Sequence, residues 1–209
     1  MRAPTALSVL VVGLTTAIIA RSTVVPSGWH FAFNVGIGVF AVGVARLAGL
    51  DADDLGLARR HVRAGLRWGG LAFLAVTLAV ASAVPFGLLD DDRTTIDVGE
   101  MLLRVLVIIP IGTVLMEELV FRGALHGLLD RVAGARASMA VGAVLFGLWH
   151  LPPIADDGIG TMAVTLVATT TAGVGFIWLR RRSGSLLAPI LAHLGTNSST
   201  FALSWAASR

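Results

Sequence analysis

The chain has no cysteine among its 209 residues. That excludes disulfides, cysteine nucleophiles and thiolate metal sites. It has no lysine and no tyrosine, so all 16 basic side chains are arginine. Charge is scarce: 14% of residues are charged against 56% hydrophobic, where soluble domains carry about 25% charged residues. With a mean hydropathy of +0.83, the chain holds more apolar surface than a soluble globule of this size can cover. A coiled coil, a disordered chain and a disulfide scaffold are excluded as well. The composition fits an all-α polytopic membrane protein, whose partner is the lipid bilayer. A nucleic-acid partner would need basic residues gathered on one tracking face. Here the arginines fall in the gaps between apolar runs.

Spanning a bilayer takes about 20 apolar residues. Runs of suitable length cover 3–20, 22–45, 68–89, 101–128, 137–155, 158–179 and 183–208. They lack sustained alternation, so they read as helices rather than barrel strands. The expectation is one membrane domain over 1–209, a bundle of about seven helices with short loops. The first run resembles a signal-peptide core, but Ile18-Ile19-Ala20 is a poor cleavage site, so a retained helix is expected. With the N-terminus inside, eleven arginines fall on the cytoplasmic side and four (Arg21, Arg93, Arg104, Arg209) outside, which favours that orientation. The acidic groups Asp90, Asp91, Asp92 and Asp156, Asp157 fall outside.

The informative residues are polar ones inside apolar runs. Glu117 and Glu118 are two of only three glutamates. A charge at mid-membrane costs about 2.5–3.5 kcal/mol on insertion scales, so it is read as functional by default. Around a helix, Arg122 lies about 40° from Glu118 but about 140° from Glu117. Glu118 and Arg122 should therefore pair, leaving Glu117 free for general-base work. Phe146 and His150 form a second i,i+4 pair, with Pro152 and Pro153 expected to end the helix just beyond. His193 and Asn197 form a third. From the expected cytoplasmic helix ends, Glu117, His150, His193 and Asn197 lie about 15, 20, 15 and 21 Å deep. The four thus meet near mid-bilayer.

Phe146 reads as packing beside the site, and Trp149 likewise. His126 is expected to face the cytoplasmic interface. His30 and His61 sit at segment ends. Trp29, Trp68, Trp178 and Trp205 fit an interfacial belt.

Glu117-Glu118-Leu119-Val120-Phe121-Arg122 fits the pattern EExxxR. Phe146-Gly147-Leu148-Trp149-His150 fits FxxxH, and His193-Leu194-Gly195-Thr196-Asn197 fits HxxxN. Over residues 101–200 the chain thereby resembles the CAAX-protease and bacteriocin-processing (CPBP) family of type II CAAX prenyl endopeptidase-like membrane proteins. That family usually has eight helices. The resemblance implies an intramembrane endopeptidase acting on a membrane-associated peptide or protein. It implies Glu117 as base, His150 holding the water, and His193 and Asn197 as oxyanion donors, with Glu118, Arg122 and Phe146 in support. No cofactor is required in this reading. The competing mechanism is a zinc site with Glu117, His150 and His193 as ligands and an open position. A non-catalytic immunity or binding protein on the same fold, and a proton-coupled transporter, are the alternatives of other classes. The all-arginine, loop-poor chain looks prokaryotic, which suggests the plasma membrane.

Overall fold

A computed structural model describes residues 1–87 and 96–209. The end of the third apolar run at Leu88 and Leu89, the acidic group Asp90, Asp91, Asp92, and Arg93 lie outside the described residues. Among the described residues every regular element is helical. Helix α1 spans Ala3–Thr23, with Pro4 in its first turn, where a missing N–H is harmless. Helices α2 (His30–Leu47) and α3 (Val62–Ala81) follow, each entered through a short 3₁₀ turn. A long helical run then extends from Val98 to Trp149. Gly134, at φ 77° and ψ 172°, divides it into α4 (98–133) and α5 (135–149). Helices α6 (Ile159–Ser183) and α7 (Leu187–Ala207) complete the chain.

Five stretches are long and apolar enough to cross a membrane: Ala3–Thr23, Ser27–Leu47, Arg59–Phe86, Val98–Ile154 and Ile159–Ser183. The protein is therefore an integral membrane protein. The fourth stretch has 57 residues. At 1.5 Å per residue that is about 85 Å, far beyond a hydrocarbon core of about 30 Å, and Gly134 folds it back on itself. Helix α7 is not among the five; its centre carries His193, Thr196, Asn197, Ser198 and Ser199.

Several boundaries differ from the sequence reading; α2, for one, begins at His30 rather than 22, after the Ser27–Trp29 turn. The segment 129–136, read as a loop, stays helical to 133 because its charges are tied down. Arg131 donates to the carbonyls of Ala48 and Gly49 and to the Asp54 carboxylate, and Asp130 accepts from Arg181. Only Gly134 breaks the helix, in backbone territory that side chains disfavour. Helix α3 starts at Val62 rather than 68, taking in Arg63 and Arg67, whose long stems let the charges reach water. It ends at Ala81, ahead of a 3₁₀ turn at Val84–Phe86 containing Pro85.

Helix α4 is wider than an ordinary α-helix over Arg104–Leu115 and Leu119–Leu125, where i→i+5 bonding prevails. Pro110, which cannot donate, lies in the first of these stretches. The buried Asn34 braces it from α2. Its Nδ2 donates to the Gly112 carbonyl at 2.8 Å, and its Oδ1 accepts from Arg21 at 3.1 Å. Met116–Glu118 is the single α-helical segment between the widened ones, so the two glutamates sit where the helix changes pitch, a frequent feature of functional sites.

Helices α3 and α7 pack nearly backbone to backbone. A methyl group on Gly69 would lie 2.9 Å from the Ala188 Cα. Such small-residue contacts are how helices associate where lipid removes the hydrophobic drive. They seat α7, and with it His193, against the rest of the bundle.

Candidate active site

Four helices supply the site. From α4 come Glu117, Glu118 and Arg122, all buried. The expected pair exists: Arg122 Nη1 donates to Glu118 Oε1 at 3.0 Å. Both side chains are 0% exposed. The same Glu118 oxygen accepts from His193 Nδ1 on α7 at 2.8 Å. Glu117 points away from this pair. Its Oε2 lies 3.8 Å from His193 Nε2 and 3.9 Å from His150 Nε2. No hydrogen-bond partner meets that buried oxygen among the described residues.

His150 comes from the end of α5. The helix stops at Trp149, and His150 caps it just before the Pro152–Ile154 turn. Pro152 and Pro153 have no N–H to donate to the carbonyls of Leu148 and Trp149, so the helix cannot continue. The His150 Nδ1 pairs with the Phe146 carbonyl at 2.8 Å. A carbonyl and a carboxylate only accept, so Nδ1 is the donor in both histidines. Both Nε2 atoms are thereby turned toward Glu117.

An aromatic cage fixes these rings. The Arg122 guanidinium lies 3.9 Å from the Phe146 ring centre and 4.8 Å from that of Phe176. Desolvated cation–π contacts of this kind are worth about 2 kcal/mol or more. They offset part of the cost of two guanidinium nitrogens, Nε and Nη2, that have no hydrogen-bond partner among the described residues. Phe146 stands edge-on to His150 at 4.7 Å. Phe176 stacks on His193 at 4.8 Å and 23°. Phe121 packs edge-on against Phe146 and Trp149, so Trp149 packs beside the site.

Phe176 is the residue that sequence reasoning missed. It is one aromatic in a run of Thr, Ala, Gly and Val on α6, with no partner at helical spacing. Asn197 sits one turn beyond His193 on α7. Its Oδ1 accepts from Thr196 at 3.1 Å, which leaves the carboxamide N–H groups to serve a ligand. No hydrogen bond ties it to Glu117, His150 or His193 among the described residues.

His126 departs from expectation. It is buried rather than facing the interface. Its Nδ1 pairs with Ser138 Oγ at 2.8 Å, and its Nε2 lies 3.5 Å from Asp130. Ser138 belongs to α5, a neighbour that only the fold reveals.

A zinc ion bound at 2.0–2.1 Å sets its ligands about 3.3 Å apart. The separations from Glu117 to the two imidazoles exceed that by about half an ångström. Among the described residues no cluster of three ligands has metal-holding geometry. An apolar cleft of about 250 Å³ opens beside the cage between α1 and α5, lined by Leu14, Ile18, Phe121, Trp149 and Pro152.

No curated protein and no solved structure matches the chain. Residues 99–199, which hold all three motifs, match the family model described as type II CAAX prenyl endopeptidase Rce1-like, and over that region the chain is similar to the CAAX-protease-like family of membrane proteins.

Proposed function

We propose that the protein is an intramembrane endopeptidase in which Glu117 activates water. The observation that carries this reading is the buried Glu117 Oε2, without a hydrogen-bond partner among the described residues, facing two imidazole Nε2 atoms at 3.8 and 3.9 Å. That gap suits a water held by all three groups. Glu117 takes a proton as the water oxygen adds to the scissile carbonyl carbon. His150, with Nδ1–H committed to a carbonyl, offers its Nε2 lone pair to the same water. His193, oriented by Glu118, donates to the developing oxyanion, and Asn197 Nδ2 donates alongside. Glu117 then returns its proton to the leaving amine, so acid and base are one residue and the centre regains its starting state. The role of Glu118 and Arg122 is to hold His193.

The substrate is a membrane-associated peptide or protein, and the cleft between α1 and α5 gives its apolar side chains a way in from the bilayer. The bundle has seven spans, with Gly134 dividing the fourth stretch and α7 as the last. The N-terminus faces the cytoplasm of a prokaryotic cell. This puts the arginine-rich end inside, as the charge bias requires.

The test compares peptide termini in membranes of a host lacking the protein and complemented with wild type or Glu117→Gln at matched levels. New termini with wild type alone are expected. Identical termini in both, with the wild-type phenotype intact, would make this a binding or immunity protein. Prolonged chelation should leave cleavage unchanged. Loss that zinc restores would reassign Glu117, His150 and His193 as ligands.

A further inference from the structure

One end of the bundle carries more arginine than its carboxylates can neutralise. Asp53 is taken by Arg60 at 2.6 Å and His61 at 3.2 Å. Asp54 is taken by Arg131, and Asp130 by Arg181, each at 2.6 Å. Asp51 is turned inward onto the backbone N–H groups of Asp53 and Asp54. Arg59, Arg63, Arg67 and Arg182 are exposed and have no carboxylate partner among the described residues.

These four sit together. Arg63 and Arg67 are one turn apart on α3, and Arg59 is one turn ahead of them. Arg182 ends α6, with its guanidinium 5.0 Å from the Trp68 ring centre. Trp68 in turn stands edge-on to Trp178 at 5.6 Å. A tryptophan pair of this kind marks the boundary between hydrocarbon and water. Arg59, Arg63 and Arg67 precede Trp68 in the chain and Arg182 follows Trp178 on α6, so all four start from the arginine-rich end of that pair, on stems long enough to reach one headgroup.

We propose that this face of α3 and α6 binds an anionic phospholipid headgroup, and that a headgroup with two phosphates fits best. Four unneutralised cations exceed the charge of a single phosphodiester. The guanidinium fork matches phosphate oxygens two at a time. Basic pockets between transmembrane helices take such headgroups.

The test uses the purified full chain in mixed micelles of non-ionic detergent and phosphatidylcholine, titrated with cardiolipin, with retained lipid counted by native mass spectrometry. Wild type should retain one cardiolipin and no phosphatidylcholine, and should hold phosphatidylglycerol more weakly. Arg63→Gln/Arg67→Gln should weaken retention about 30-fold. Arg2→Gln/Arg136→Gln is the control. It removes equal charge at the same end, since Met1 binds the Leu47 carbonyl and Arg181 the Ala135 carbonyl there. It should leave retention unchanged. Equal losses in the two doubles, or equal retention of phosphatidylcholine by wild type, would overturn the proposal. If the first double fails to fold, Arg182→Gln alone should weaken retention about fivefold, and no change would overturn it. Inorganic phosphate alone should not move the thermal midpoint. A rise matching that from cardiolipin would mean a free-anion site and defeat the lipid assignment.

Discussion

The cluster around Glu117 and the cluster around Asp130 use the same side chains on adjacent stretches of α4, yet they are finished differently. At the arginine-rich end the guanidiniums of Arg131, Arg180 and Arg181 are each bonded through at least one outer nitrogen, and the Nε atoms of Arg180 and Arg181 are the buried ones left without partners among the described residues. Arg131 reaches two carbonyls and a carboxylate, Arg180 two carbonyls, and Arg181 a carboxylate, a carbonyl and a hydroxyl. Together they clasp the 48–58 loop and the Gly134 bend. Around Glu117 more polar capacity is left over: Glu117 Oε2, Glu118 Oε2 and two nitrogens of Arg122 are buried without partners among the described residues. A satisfied network rigidifies a fold, whereas a buried polar group without a partner carries a penalty with no structural return. Among the described residues only the Glu117 cluster leaves carboxylate oxygens in that state, which marks it as the centre that meets a ligand.

Breaking Arg122 should give the largest loss of stability. Arg122→Leu leaves Glu118 buried without its cation, which costs about 3–5 kcal/mol. The double variant Glu118→Met/Arg122→Leu should regain part of the thermal midpoint while staying inactive. A double no more stable than the single would contradict the pairing as its cause. Arg180→Gln removes charged hydrogen bonds to the carbonyls of Asp53 and Asp54 and should cost about 1.5–3 kcal/mol. Cleavage per folded molecule should be unaffected. Gly134→Ala forces a side chain into a glycine-only conformation and should cost about 1–3 kcal/mol, read as a lower midpoint in the same detergent. Smallest of all, Phe176→Leu should lower kcat about tenfold with little change in KM, equivalent to about 1.4 kcal/mol in the barrier. Phe176→Tyr should restore it. A change in KM alone would show that Phe176 does not act through His193.

Much of the site is legible in the sequence because its pairs lie one helical turn apart. The Glu118–Arg122 contact follows from angle alone, and the position of His150 follows from Pro152 beyond it. What joins the pairs is not legible. Phe176 and Ser138 act on His193 and His126 across helix interfaces, and no spacing along the chain reports that. The polar segment 129–136 looks like a loop for a related reason. Its charges are satisfied by the distant residues Ala48, Gly49, Asp54 and Arg181, so it can remain helical to Gly134.

The contrast between the two clusters is tested most directly by Glu117→Gln and Arg180→Gln side by side. Each would be scored for cleavage of the substrate that the terminus comparison identifies and for thermal midpoint. Glu117→Gln should lower cleavage by about 10²–10⁴ with its midpoint held or raised, and Arg180→Gln should lower the midpoint with cleavage per folded molecule held. Cleavage at the wild-type rate by folded Glu117→Gln would contradict the assignment of Glu117 as the base.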